Sequence, residues 1–534
     1  MKTRKEMHKT INAVILAAGF GMRLIPINNK MPKGLLVVNG QPLIERLIEQ
    51  LQEAGVMDIY IVVGFMKDAF YYLQDKYNVH LIDNDDYAVK NNLHSLNLVA
   101  DYINNTYIVP GDVWCKENPF LCNEDDSWYM VSNSVDNDSC VRIDRRNNLV
   151  KVPYKYGGNS MLGICYLNGD DSKVVRKRIR ELTKDSFYDN AFWEIALYRG
   201  DNFLVHGKCV SCTDYVEINT YEDLRDLDSS SEQLKSRVIK TLCDALGAGW
   251  EDIYGIRGLK KGMTNRSFIF RYDDHKYIMR IPGEGTEKLI NRAQEAVVYE
   301  SIKGKDLCDD IIYINSQNGY KITSFIEDSR NCDNRNLNDV KLCMSKLKNF
   351  HSMKLKVEHE FDVFEHIDFY ESLWEDNTSI FKDYQKVKER IYSLKEFIDN
   401  QNIEKCLVHI DAVPENFLIY KDDNGNDEVR LIDWEYAAMQ DPHIDIAMFC
   451  IYSLYSKREI DRLINIYFED NCPTMVRIKI YCYIAICGLL WSNWCEYKRM
   501  LGVDFGEYAI RQYKYAKDYY RIATREMERM GANA

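Results

Sequence analysis

A short apolar strand, AVILA, runs into LAAGFGMRL at Leu16 to Leu24, and MPKGLL follows at Met31 to Leu36. Glycines at this point let a backbone approach a phosphate chain closely, so the N–H groups of Leu16, Ala17, Ala18, Gly19 and Gly21 become candidates to bond its oxygens. Arg23 and Lys33 add mobile positive charge. Asp112 ends the segment TYIVPGD, a carboxylate just past an apolar strand, where open α/β sheets bind ligands. A different chemistry is written near the other end of the chain. Trp491 and Trp494 stand three apart, with Tyr497 next along the same helical face. Aromatic faces attract cations through the ring quadrupole. Glu435 or Asp445 could add anionic charge there.

The elements that must hold these residues are visible in the hydrophobic pattern. From Asn12 to about Val113, the apolar strands AVILA, DIYIVVG and TYIVPGD alternate with a helical repeat at Leu43, Ile44, Leu47, Ile48 and Leu51, which predicts an α/β sheet with helical crossovers. Short strand-like stretches follow from Ser127 to Leu167, then a helix over about Lys173 to Lys184 and the strand VEIN at Val216 to Asn219. DLDSSSEQ, Asp226 to Gln233, has no apolar periodicity and reads as a linker or helix cap. Strands dominate again from Lys260 to Phe325. From about Leu337 helices take over, interrupted by LVHID and VRLID, two apolar strands that each end on an acid.

With 534 residues the chain is long enough for at least two cores. Its 46% apolar and 28% charged residues are those of a folded globular protein. Against 82 Asp and Glu stand 69 Lys and Arg, a net charge of −13 that lacks the basic footprint of a nucleic-acid or anionic-membrane binder. The 16 cysteines follow no disulfide framework, and the Cys209/Cys212 pair has no second ligand pair to make a zinc site. Met1 to Thr10 is polar and lysine-rich, without the apolar core of a signal peptide. The longest apolar run, Ile480 to Trp491, reads as a buried helix, so the expectation is a cytoplasmic protein with no membrane insertion.

Strand, L-A-A-G-x-G-x-R and P-K together resemble the nucleoside-diphosphate-sugar pyrophosphorylase superfamily. Within it, NDDYAVKNNLHSL from Asn84 to Leu96 is similar to the corresponding stretch of the CTP:phosphocholine cytidylyltransferases. The resemblance spans roughly Asn12 to Leu227. It implies that the backbone around Gly19 and Gly21 with Arg23 holds the CTP triphosphate, that Asn84, Tyr87, Asn92 and Ser95 complete the nucleotide site, and that Lys33 neutralises the α-phosphate. Asp112 would carry Mg²⁺. The family's second metal carboxylate falls in VEIN, where this chain has Asn219, with Glu217 two residues earlier on the same strand face, so either Glu217 substitutes or the second metal contact is weaker. Asp189, Phe192, Trp193 and Glu194 offer the acidic and aromatic groups of a cationic head-group site, whereas the stretch around Cys140 lacks the tryptophan that the choline enzymes carry.

LVHIDAVPENFLIY and VRLIDWEYAAMQDPHIDIA contain H-x-D-x-x-x-x-N, followed seventeen residues later by Asp433. That arrangement resembles the choline/ethanolamine kinase family, over roughly Val238 to Arg521. The resemblance implies that Asp411 accepts or orients the substrate hydroxyl proton, that Asn416 and Asp433 bind Mg²⁺, and that His409 braces the loop. It also implies that the turn Lys261 to Asn265, with Thr264, covers the nucleotide, and that Arg280 contacts ATP phosphates while paired to Glu295. Trp491, Trp494 and Tyr497 fall where the family has a W-x-x-W pair.

The reading is an α/β chain, a Rossmann-like nucleotidyltransferase over 11–228 with a mixed sheet and flanking helices, a linker over 229–236, and a bilobal α+β kinase-like domain over 237–525. Its small β lobe would span about 250–327 and its helical lobe about 337–525. It implies choline phosphorylation by ATP and transfer of CMP from CTP to the product, with Mg²⁺ at both sites, small-molecule substrates, and neither a nucleic-acid partner nor membrane insertion. The alternatives are the same chemistry on ethanolamine or 2-aminoethylphosphonate, or one domain degenerate and regulatory.

Overall fold

The computed structural model describes residues 7–531 except 20, 22–23, 25, 28–30, 200–201, 260–264, 284–285, 287–288, 375–377, 402, 502 and 504. The chain divides into two compact units, Met1–Lys260 with Phe268–Asp274, and Lys261–Ser267 with His275–Ala534.

In the first unit, strand β1 (Asn12–Ala17) pairs in parallel with β2 (Asp58–Val63) on one side and with β4 (Thr106–Pro110) on the other, and β3 (His80–Asp83) extends the sheet beyond β2. A central parallel strand is covered on both faces, which is why AVILA is continuously apolar. Ala13 and Ile15 enter one core, with Ile44, Leu47, Ile48 and Leu51 of helix α1 (Leu43–Glu53). Val14 enters the other, with Leu93 and Leu96 of α2 (Asn92–Leu98) and Val175 and Ile179 of α3 (Gly169–Leu182). Helix α3 begins earlier than its apolar pattern, because Asn168 caps it by accepting from the N–H groups of Asp170 and Asp171. Antiparallel strands Trp128–Asp136 and Gly158–Leu167 complete a mixed sheet with β4.

The polar stretch read as a linker is fastened down. Asp228 accepts from the Asn39 N–H at 2.8 Å, Gln233 accepts from the Val37 N–H at 3.1 Å, and Leu234 is fully buried. Its polarity serves hydrogen bonds to a neighbouring backbone as well as solvent.

In the second unit, His275–Pro282, Lys321–Ser324 and Ile311–Ile314 form an antiparallel ladder, and the helix Arg292–Ile302 follows the first of these strands. The helical part starts at Leu337–Ser352, as its periodicity predicts, and includes His443–Tyr452, Thr474–Met500 and Glu507–Arg529. Among the described residues, one helix, Thr474–Met500, is long and apolar enough to cross a membrane by length and composition. Of its apolar window 78% is buried inside the fold, the signature of a core helix. All 16 cysteines are free thiols.

Candidate active sites

The first site gathers at the C-terminal ends of β1, β2 and β4. Gly111 precedes Asp112 and lies so close to β1 that a Cβ there would come within 3.0 Å of the Ala17 Cβ. Gly64, just past β2, is squeezed between Tyr87 and the Ala18 carbonyl, where a Cβ would meet both below 3.0 Å. Asp112 leads into the short strand Val113–Cys115, which pairs antiparallel with Tyr215–Glu217, and the Ile218 N–H donates to the Asp112 carbonyl at 3.0 Å. That ladder sets Glu217 and Asn219 beside Asp112. Lys33, in the turn Lys33–Leu35, donates from Nζ to Asp112 Oδ2 at 2.9 Å and to Asn219 Oδ1 at 2.8 Å. Burial, reinforced by the charge of Asp112, raises the Glu217 carboxyl to about 7, while Lys33 and the Asn219 amide pull the other way.

The Asn84–Ser95 stretch is spent largely on the scaffold. Asn84 is buried and donates to Ser95 Oγ at 2.9 Å, and Asn92 Oδ1 accepts from the Trp193 N–H at 2.8 Å. Trp193 is 1% exposed and sits in the sheet's core near Tyr129, so its ring is packing rather than an open cation face. Glu194 Oε1 accepts from the Tyr129 hydroxyl at 2.9 Å, and its other oxygen is buried with no hydrogen-bond partner among the described residues. Burial raises its carboxyl. Asp189 meets His94 at 3.0 Å. Cys140 stands where the tryptophan was missed, and its thiol lies against the hydroxyls of Tyr154 and Tyr198, two aromatics the motif reading did not find. Arg23 lies outside the described residues.

The second site is built on a loop held from behind. The strand Cys406–Val408 ends before His409, whose ring Nε2 pairs with the Ile432 carbonyl at 3.0 Å. Full burial lowers the His409 imidazole to about 4, so the ring is neutral and Nε2 donates. Asp445, on the helix His443–Tyr452, accepts from the N–H groups of His409 and Ile410 at 2.9 and 2.8 Å. It anchors the loop, and its charge is committed to that backbone. Ile410 and Asp433 both sit at positive φ, 66° and 67°, just beyond the strands at whose ends the sequence placed their acids. The Ile432 N–H donates to the Asn416 carbonyl at 2.9 Å, which brings Asn416 and Asp433 together. Asn416 Nδ2 donates to Asp411 Oδ2 at 3.0 Å.

Arg280 grips Glu295 through both terminal nitrogens, the second contact at 2.9 Å. Burial alone would raise Glu295, but the charge and hydrogen bonds of Arg280 outweigh it and hold the carboxyl at about 2. Glu435 accepts from Asn265 at 2.9 Å and from Arg292 at 3.1 Å, and lies 3.7 Å from Arg280. A buried acid takes the nearest fixed cations. Trp491 and Trp494 lie edge to face with centroids 5.4 Å apart, and Tyr436 meets Trp491 edge on at 6.2 Å. Both indoles are buried, Trp491 at 9% exposed and Trp494 at 3%, and Tyr436 is a third aromatic of this cluster that spacing did not find. Tyr497 is half-buried beside them, and Thr264 lies outside the described residues.

Among the described residues no group of three or more His, Cys, Asp and Glu is arranged to hold a metal. The donors present are nonetheless those that suit Mg²⁺, one or two carboxylates plus an amide oxygen, with substrate phosphates to complete the shell.

Comparison with known proteins matches two separate parts of the chain. The family described as MobA-like NTP transferase domain matches residues 13–118, and the choline/ethanolamine kinase family matches residues 256–482. A choline-phosphate cytidylyltransferase of Streptococcus pneumoniae is 44% identical over 229 residues, 43% of this chain and 91% of that protein. The chain belongs to the choline-phosphate cytidylyltransferase family, with a choline/ethanolamine kinase domain fused behind it. A 2-aminoethylphosphonate cytidylyltransferase of Lancefieldella rimae is 32% identical over 34% of the chain and 77% of its own length. The protein LicA of Haemophilus influenzae is 27% identical over 47% of the chain and 76% of its own length.

In the kinase domain the Asp411 carboxyl is raised to about 7, by burial first and then by the charges of Asp433 and Glu435, against which Asn416 pulls it down. Only the ionised form accepts a proton. Phosphorylation is therefore expected to fall about tenfold per pH unit below 7 and to level off above it, which a kcat/KM profile for ADP release from pH 5.5 to 8.5 checks. A flat profile across pH 6 to 7 would contradict this.

Proposed function

We propose that the kinase domain transfers the γ-phosphoryl group of ATP to choline and that the cytidylyltransferase domain joins the resulting phosphocholine to CMP from CTP, releasing pyrophosphate. We assign the second step to residues 11–228 and the first to 237–525, joined by 229–236. The reading is supported above all by the aromatic pocket of Tyr436, Trp491 and Trp494, in the same unit as the loop of Asp411, Asn416 and Asp433.

In the first step Asp411, aimed by Asn416, takes the proton of the choline hydroxyl as its oxygen bonds to phosphorus and ADP leaves. Arg280, fixed by Glu295, balances phosphate charge. In the second, a phosphocholine oxygen attacks the α-phosphorus of CTP. Both reactants are anions, so Lys33 has the decisive task of neutralising the phosphate between them. Mg²⁺, when bound by Asp112 with Glu217 or Asn219 and by Asn416 with Asp433, would screen phosphate charge in the same way. The unpaired thiols accord with a reduced cytoplasm.

The aminoethylphosphonate reading is weaker for a chemical reason. A phosphonate already carries its phosphorus and has no need of the attached kinase. The test is phosphorus NMR of the purified chain with ATP, CTP and Mg²⁺, supplied with choline, ethanolamine or 2-aminoethylphosphonate. CDP-choline and pyrophosphate from choline are expected. Turnover of ethanolamine with none of choline would leave the chemistry in place and remove the role of the tryptophans.

A further inference from the structure

Lys498 lies one turn beyond Trp494 on the same face of the helix Thr474–Met500, with its Nζ 5.4 Å from the Trp494 ring centroid. The residue is 9% exposed. Other buried lysines of this unit have polar partners: Lys479 pairs with Asp441 at 2.5 Å, and Lys321 donates to the Tyr299 hydroxyl. The Lys498 carbonyl accepts from the N–H groups of Leu501 and Val503, but its ammonium has neither a carboxylate within 4 Å nor a hydrogen bond among the described residues. Its neighbour Arg499 is exposed, as a long cation at this end of a helix ordinarily is. Withdrawing an ammonium from part of its hydration with no anion beside it among the described residues is costly, and the negative face of the indole offsets that cost. Burial lowers its pKa, with the charge of Glu435 acting the other way.

We propose that Lys498 is a tethered cation that occupies the Trp494 face of the aromatic pocket and must be displaced by the quaternary ammonium of the incoming alcohol. Two cations within about 5 Å of each other on one ring repel, and in a partly dry pocket that repulsion is weakly screened. Lys498 thereby raises the concentration of choline needed to fill the site. A neutral alcohol of the same shape feels no such repulsion. The inference rests on the assignment of Trp491 and Trp494 as the cation pocket.

The experiment measures ADP release by the full chain and its Lys498→Met and Lys498→Gln variants, with choline and with its neutral isostere 3,3-dimethylbutan-1-ol. Both variants are expected to lower the KM for choline by about five- to tenfold, in KM rather than kcat, without lowering the KM of the neutral alcohol. An unchanged or raised choline KM in whichever of the two variants melts like the wild type overturns the proposal. So does an equal fall for both alcohols, which would mean that the side chain merely fills space. Trp494→Leu separates the two levels of the argument. If it leaves the choline KM unchanged, the pocket assignment itself is wrong. If it raises that KM while the Lys498 variants do nothing, only the displaced-cation reading is lost.

Discussion

Asp411→Asn is expected to lower phosphorylation of choline by about 10²- to 10⁴-fold, the span that a positioned general base contributes. The substitution keeps the shape of the side chain next to Asn416 and removes the proton acceptor. It should also make the protein more stable above neutral pH, which separates loss of chemistry from loss of fold. The Asp411 carboxyl lies at about 7 in the folded chain against an ordinary 3.8. A folded-state pKa above the unfolded one means that ionised Asp411 opposes folding. The penalty grows as pH rises from about 4 to 7 and stays constant beyond. Asparagine removes it, a gain on the order of 1–3 kcal/mol at pH 8 that should vanish near pH 4. Thermal melts of both proteins at pH 4.5 and 8 check the sign. CDP-choline formation from choline should disappear in this variant and return when phosphocholine is supplied. Failure of that rescue would mean that Asp411 supports more than the kinase step.

Lys33→Met is expected to lower cytidylyl transfer by about 10²- to 10³-fold, as for removal of a charge clamp on a developing phosphate anion, while ADP formation from choline continues. The Lys33 ammonium bonds Asp112 and Asn219 at once, at 2.9 and 2.8 Å. Without it, the Asp112 carboxylate and the half-buried Glu217 lose the charge that Lys33 supplies beside them, and the Glu217 carboxyl moves further up from about 7, because Lys33 is one of the groups that lower it. Lys33→Arg should recover only part of the rate. A planar guanidinium presents its donors in a fixed fork and does not reproduce a point charge shared between two single acceptors. Phosphorus NMR should show phosphocholine accumulating without CDP-choline or pyrophosphate. Undiminished pyrophosphate release would remove Lys33 from the reaction.

Much of this was legible in order along the chain. The strands AVILA, DIYIVV and TYIVP stand at Asn12–Ala17, Asp58–Val63 and Thr106–Pro110 because a strand buried on both faces has to be apolar throughout. The loop from His409 to Asn416 was readable because its bonds are local: Asn416 reaches Asp411 across five residues. The pairing of Arg280 with Glu295 spans fifteen, one strand and one helix apart. Boundaries were less legible. Helix α3 starts at a capping asparagine rather than at an apolar residue, and the polar segment from Asp226 to Gln233 is docked on the first unit by side-chain oxygens that accept from exposed turns.

The sequence by itself determined which chemistries are available: a glycine loop with lysine and arginine for phosphate, carboxylates and amides for a hard cation, indoles for a quaternary ammonium. Only the tertiary structure decided which group answers which. Lys33 meets Asn219 across 186 positions because two short strands form a ladder that no periodicity announces. Glu435 is paired with Arg292, 143 positions away. Trp193 became core, and Lys498, unremarkable as a residue near a helix end, became a largely buried residue whose cation lies over an indole, with no carboxylate within 4 Å among the described residues. The physical reason is common to all four. Charge, burial and hydrogen bonding act through distances in space, and spacing along the chain predicts those distances only within one element or one turn.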